Sequence, residues 1–303
     1  MGRALSDRFQ GCLLGLAVGD ALGAPVEGMS EVEIIGLHGR ITELSGGGGW
    51  ALGEYTDDTS MMLAIARSIA ALGRFSPEDV AERFLEWFEA GAKGIGHTTF
   101  VALNEMRSGV PWRQAGQNAH RLLREKSAGN GSLMRSAPVA LLHHRDPEWM
   151  VKDTLNSSII THWDPRAGWG AVALNLAIAR LLTGERDGLI EEVAAQVEEQ
   201  TVADAVRGVA GMTEMDTVPS ALVLDTLRIA LWCFLNTDSL EGAVVRAVNL
   251  GGDADTTGAV TGALAGAWYG VGAIPARWRA GLMGAAEIAE LATRIHSIAV
   301  ATP

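Results

Sequence analysis

Apolar residues recur at helical spacing along almost the whole chain. Phe9, Leu13, Leu16, Ala17 and Ala21 mark a first helix over about residues 7–22, and Gly11, Gly15 and Gly19 on it are spaced for close helix packing. Residues 24–56 read as mostly irregular, with Gly46-Gly47-Gly48-Gly49 before Trp50 forming a flexible loop. A helix is then predicted over 58–72. Another opens at Ser76-Pro77-Glu78-Asp79, which supplies a Ser cap, Pro at the first position and an acid three residues on. Further helices are predicted over 98–108, 112–125, 133–142, 147–160, 165–183, 187–207, 219–235, 239–248, 256–269, 276–283 and 285–300. No period-two alternation persists, so strands are absent or marginal. The predicted class is all-α. No linker, charge block or period of the solenoid kind divides the chain, which reads as a single domain over 1–303.

Composition narrows the function. The 303 residues are 48% hydrophobic, enough for a sizeable core, and carry a formal net charge of -12. That charge argues against a nucleic-acid groove or an anionic membrane surface as partner, so an anionic ligand needs help from metals or helix N-termini. Cys12 and Cys233 form no pair motif and sit in apolar runs, as buried thiols of a reducing, cytoplasmic compartment do. Arg3, Asp7 and Arg8 break the N-terminus before any signal-peptide core. The uncharged stretch from Thr256 to Ala276 is rich in Gly and Ala and broken by Pro275, which fits a buried central helix better than a membrane span.

The chemistry concentrates in two acidic clusters, each ahead of a helix: Thr56-Asp57-Asp58-Thr59 and Gly251-Gly252-Asp253-Ala254-Asp255-Thr256-Thr257-Gly258. Asp and Thr at such places are favoured N-caps. A cap needs one acceptor, however, and each cluster crowds two carboxylates, which demands a cation or solvation. Residues i and i+2 do not share a helix face, so Asp253 and Asp255 converge only where a turn enters a helix, expected to start near Thr256. Oxygen ligands without His or Cys point to Mg²⁺, Mn²⁺ or Ca²⁺. An EF-hand is rejected because Leu264 stands where the loop needs its bidentate Glu. Four carboxylates from two loops suit a pair of divalent ions.

Three other segments carry candidate chemistry. Gly129-Asn130-Gly131-Ser132 opens a helical run and reads either as backbone N–H groups aimed at a phosphate or as an ordinary Asn-Gly turn. His162 stands just outside a helix capped by Asp164 and Pro165, as a structural donor or a ligand contact. Glu27 follows Asp20 at the exit of the first helix and, alone, is a loop carboxylate. Walker A, G-x-G-x-x-G, HExxH, CxxC and GxSxG motifs do not occur.

Taken in order, Gly19-Asp20-x-x-Gly23-x-x-x-Glu27, Thr56-Asp57-Asp58-Thr59, Gly129-Asn130-Gly131 with Met134-Arg135, Thr161-His162 and the Gly251–Gly258 segment resemble the ADP-ribosylglycohydrolase family, in particular its bacterial dinitrogenase-reductase-activating members. The likeness covers residues 9 to about 280. It implies an all-α domain with a binuclear Mg²⁺ or Mn²⁺ site ligated by Thr56, Asp57, Asp58, Asp253, Asp255 and Thr256. It makes Glu27 a carboxylate beside the metals that gates the site or assists catalysis, and gives Asn130, Gly131, Ser132 and His162 contacts to ADP-ribose. The implied reaction hydrolyses the bond from C1″ of ADP-ribose to an acceptor, with Glu27, Asp58 or Asp255 handling the proton. Two departures stand out. In Gly94-Ile95-Gly96-His97-Thr98, Gly94 and His97 replace an Asp and an Asn of the nitrogenase-directed enzymes, and Leu222 replaces a Tyr. His97 is thereby placed among the substrate contacts, and the acceptor stays open: arginine first, then another side chain or a small ADP-ribosylated or ribosylated molecule. The rival readings are a non-catalytic ADP-ribose or nucleotide sensor, and a two-metal phosphoesterase or nucleoside-processing hydrolase.

Overall fold

In the computed structural model, which describes residues 4–301, two apolar helices cross at the centre. Helix α1 (Leu5–Gly23) is buried on every side from Gly11 onward, and so is the stretch from Ala254 to Ala267 in the late helix Ala254–Tyr269. A helix apolar all round belongs inside. Glycines every fourth residue make the crossing close: a methyl group at Gly15 would overlap the carbonyl oxygen of Gly262, and one at Gly19 that of Gly258. The helices run antiparallel, because Gly11 meets Gly266 while Gly23 meets Ala254 and Asp255. The exit of one therefore lies against the entrance of the other, which sets Asp20 beside Asp253 and Asp255.

Around this pair the remaining helices follow in chain order: α2 (Glu31–His38), α3 (Asp57–Leu72), α4 (Pro77–Glu89), α5 (His97–Arg107), α6 (Trp112–Leu122), α7 (Ala137–Leu142), α8 (Pro147–Ile159), α9 (Pro165–Thr183), α10 (Leu189–Gln196), α11 (Gln200–Gly208), α12 (Val223–Leu235), α13 (Leu240–Asn249), α14 (the Ala254–Tyr269 helix), α15 (Ala276–Gly281) and α16 (Ala285–Ala301). Among the described residues there is no strand, only three isolated bridges. The all-α expectation holds, in one helical domain. Residues 1–3, with Arg3, and residues 302–303 lie outside the described part.

Four expectations need correction. Residues 31–38 are helical, closed by a capping box in which Glu33 N–H bonds to Ser30 Oγ and Ser30 N–H to Glu33. Only Ile34 of this helix is buried, so no apolar period announced it. The run 187–207 breaks into α10 and α11, with Val197 extended and Glu199 capping the second piece through Val202 N–H. The helix expected from 133 begins at Ala137, just ahead of Pro138. Residues 219–222 are not helical; Leu222 is extended and bridges to Gly129, and Val223 N–H bonds to Ala128 O. That last contact joins the Asn-Gly loop to the start of α12.

Cys12 and Cys233 are buried and unpaired, and burial raises the Cys233 thiol to about 12. Both thiols stay protonated and inert. Among the described residues one helical stretch, Leu5–Val26, is long and apolar enough to cross a membrane, but 94% of its most apolar 18-residue window is buried within the protein.

Candidate active site

The first acidic cluster is held from below by Asp20. Its carboxylate accepts from Thr56 N–H at 2.9 Å, Thr59 N–H at 3.0 Å and Thr59 Oγ1 at 2.6 Å, so it satisfies N–H groups that α3 leaves free at its entrance. Burial raises Asp20 to about 6, and the bonds from Thr59 and Thr56 pull against that rise. Thr56 caps α3 by accepting from Asp58 N–H. Asp57 accepts from Gly96 N–H at 3.3 Å, which fastens the Gly94–His97 loop to the cluster.

The second cluster is set by Gly251 and Gly252. Both have positive φ, and a side chain at either would strike Met29 or Pro219 backbone. Gly252 exchanges hydrogen bonds of 2.7 Å with Gly28 N–H and Met29 O. This clasp carries Glu27 to the mouth of the site beside Asp253. Asp253 is the first turn's cap position and α14 starts at Ala254, two residues before the expected Thr256. Asn130 Nδ2 donates to Asp253 Oδ2 at 2.7 Å and to Thr226 at 2.9 Å.

The clusters meet. Glu27, Asp57, Asp58, Asp253, Asp255 and Thr256 line one cavity of about 480 Å³, a size usual for small-molecule sites. Thr256 Oγ1 lies 3.4 Å from Asp58 Oδ1. Two buried oxygens, Asp58 Oδ2 and Asp255 Oδ1, have no hydrogen-bond partner. Burial pushes both carboxyls well above the usual range; Asp20 and Asp255 push Asp58 further, and Asp253 and Glu27 push Asp255. Asp57 rises to about 8, chiefly by burial. Glu27 is raised by partial burial and by Asp253 and Asp20. Buried carboxylate oxygens without donors, held together against repulsion, are ligands of the kind a hard cation takes. No three His, Cys, Asp or Glu among the described residues stand as a ready-made metal-holding group; of the two threonines expected as ligands, Thr256 lines the cavity.

Across the cavity stand Asn130, Gly131, His97 and His162. His162 is neutral, since burial and the nearby Arg135 pull it down to about 3. Buried Arg135 donates to Thr161 Oγ1 at 2.9 Å, and Thr161 Oγ1 lies 2.8 Å from His162 Nδ1. Arg135 can only donate, so Nδ1 is the acceptor this contact offers the Thr161 proton; that tautomer puts the ring's N–H at Nε2, on the Gly129 and Gly131 side. Ser132 is different: its hydroxyl donates to Ala167 O at 3.0 Å, and it is not on the cavity wall. The Ser132 hydroxyl, expected as a substrate contact, is used here as a link to α9. Thr56 is likewise behind the wall, as the cap of α3. Sequence reasoning missed Asp20 and Arg135, which position other groups, and Lys126 and Arg166, which bring positive charge to the cavity. Arg166 is aimed by a two-point pairing with Asp164.

A family model described as ADP-ribosylglycohydrolase matches residues 1–302. The chain is 35% identical over 283 residues to the ADP-ribosyl-dinitrogen reductase glycohydrolase of Rhodospirillum rubrum, covering 91% of this chain and 90% of that one. It is 28% identical over 345 residues to ADP-ribosylhydrolase ARH3 of Bos taurus, covering 98% and 94%. A solved structure titled ADP-ribosylglycohydrolase-related protein complex superposes with a TM-score of 0.83 at 35% identity, covering 97% of this chain and 99% of that one. A match running nearly end to end, on a helical frame that brings the two acidic segments and the Asn130 and His162 loops to one cavity, makes this chain a member of the ADP-ribosylglycohydrolase family.

Proposed function

We propose that the chain is a metal-dependent hydrolase that removes ADP-ribose from a modified acceptor, arginine-linked first, by cleaving the C1″ bond. The observation that carries this reading is the pair of orphaned, buried oxygens on Asp58 and Asp255, in a cavity that also presents Lys126 and Arg166. Thr56, Asp57, Asp58, Asp253, Asp255 and Thr256 would hold two divalent ions, Mg²⁺ or Mn²⁺. Ions held there would supply charge to lower the pKa of a water and to orient ribose hydroxyls.

The remaining work falls to side chains. Lys126 and Arg166 offset the diphosphate charge that this acidic protein would otherwise repel. Neutral His162 offers an Nε2–H donor, and Asn130 holds Asp253 in place. As the C1″–N bond breaks, its electron pair leaves with nitrogen while water oxygen bonds to C1″. Glu27, raised in pKa at the cavity mouth, is placed to take the water proton and return it to the leaving nitrogen.

The test is release of free ADP-ribose from ADP-ribosyl-arginine, followed by mass spectrometry with Mn²⁺, with Mg²⁺ and with chelator. Metal-dependent release supports the reading. ADP-ribose binding without release from any linkage would overturn it in favour of a sensor.

A further inference from the structure

Beside the acidic cavity lies a second one of about 330 Å³, walled by Trp50, Tyr55 and Trp87 with Glu54 and Lys93. Gly94 lies between a wall of each: a methyl group there would stand 3.0 Å from the Trp50 ring, which lines the second cavity, and 3.6 Å from Asp57 Oδ1, which lines the first. Gly94 has φ +76, so its backbone favours glycine as well. The Trp50 ring is presented by a tight turn, in which Gly47 and Trp50 exchange two backbone hydrogen bonds of 3.0 and 2.9 Å. The Trp50 wall of the aromatic pocket thus stands next to the Asp57 wall of the acidic cavity, across Gly94.

Its walls are chemically specific. Lys93 Nζ sits 3.9 Å over the Trp50 ring and 2.8 Å from Glu54 Oε1. A cation held between an indole face and a carboxylate is an established recognition geometry. Here the occupant is a side chain of the protein itself, 45% exposed and close to Gly91 and Gly94, both at positive φ. Lys93, swung out to solvent, would give up its contacts to Trp50 and Glu54, and a planar guanidinium in the vacated place would restore both, stacking on Trp50 while forking onto Glu54.

We propose that this pocket is the acceptor subsite and takes a cationic group of the acceptor, with Trp50 and Glu54 as its specificity-determining contacts and Lys93 as the built-in competitor. The proposal rests on the hydrolase reading for its role in turnover but not for its binding chemistry. The experiment therefore has two arms. Binding of agmatine, a guanidinium probe, is measured by calorimetry on the full chain, wild type and W50F, W50A, E54Q and K93A. Loss of the ring or the charge is expected to weaken agmatine by about tenfold and K93A to tighten it severalfold. No binding, or binding indifferent to all four changes, overturns the subsite even if the enzyme proves active.

In the kinetic arm, E54Q should raise KM for ADP-ribosyl-arginine by about tenfold with kcat little changed, and leave 1″-O-acetyl-ADP-ribose, whose acceptor is neutral, unaffected. Equal effects on both substrates would overturn the proposal. Absence of turnover by the wild type on both would count against the hydrolase reading alone, since agmatine binding still decides the subsite. W50F keeps an aromatic face should W50A fail to fold.

Discussion

Asn130 reaches across 123 positions of sequence to place its amide 2.7 Å from the Asp253 carboxylate. The bond ties the Gly129–Gly131 loop, which lines the cavity, to the entrance of α14, which carries the acidic cluster. It fixes the direction of Asp253 while Thr226 fixes Asn130. Asn130→Ala should lower metal affinity and turnover by about 10–100-fold, the usual effect of removing a ligand's orienting partner. Asn130→Asp, which sets a second negative charge against Asp253, should cost more. A Mn²⁺ titration of ADP-ribose release compares them; metal dependence identical to wild type would show that Asp253 needs no such support.

The acidic cavity also makes a prediction about stability. Asp58 is buried among carboxylates with one oxygen unpartnered, so in chelator its charge works against folding. Asp58→Asn should therefore raise the melting temperature of the metal-free protein, by about 2–4 °C per kcal/mol of relief. If the cluster holds Mg²⁺ or Mn²⁺ as proposed, either ion should raise the melting temperature of the wild type and not that of the variant. Thermal melts with and without chelator read both effects, and a variant less stable than wild type in chelator would contradict the repulsion.

The central crossing tolerates no side chain. Gly15 in α1 and Gly262 in α14 meet backbone to backbone, where neither partner can step aside. Gly15→Ala should cost about 3 kcal/mol or more, at the upper end of overpacking effects. Gly36→Ala, in α2 with open space around it, should instead stabilise by about 0.5–1 kcal/mol. Urea unfolding of the two variants separates a packing requirement from a general intolerance of helix glycines.

Much of this arrangement was legible because its signals are local. Glycines every fourth residue announce a close crossing, and doubled carboxylates before helices announce a charge problem that only convergence or solvent can resolve. What stayed hidden depends on partners distant in sequence. Arg135 looks like any helix arginine until Thr161 and His162 stand beside it, and Asp20 looks like an exit residue until α3 docks on it. Ser132 lies in a phosphate-binding sort of loop, yet α9 decides where its hydroxyl points. Helix α2 escaped notice because Val32, Ile35 and Leu37 face solvent, so its turns carry no buried stripe, although the Ser30 and Glu33 capping pair was there to read.

His162 offers a pH prediction whose sign follows from its burial. In the folded protein burial and Arg135 hold it near 3, whereas in the unfolded chain it titrates near 6.5. Above about pH 6.5 it is neutral in both states and contributes no pH dependence. As the pH falls below that value the unfolded chain takes up a proton that the native state refuses. Stability is then lost at about 1.4 kcal/mol per pH unit for this one group. His162→Gln keeps an amide N–H to stand in for Nε2–H and has no proton to gain. Between about pH 7 and pH 5 the wild type should therefore lose about 2 kcal/mol more than the variant. Urea unfolding at the two pH values measures that difference. Equal losses would mean that folded His162 is protonated, and then Thr161 could not be donating to Nδ1. In the range above pH 6, ADP-ribose affinity should show no step from this residue, because the donor at Nε2 is present throughout.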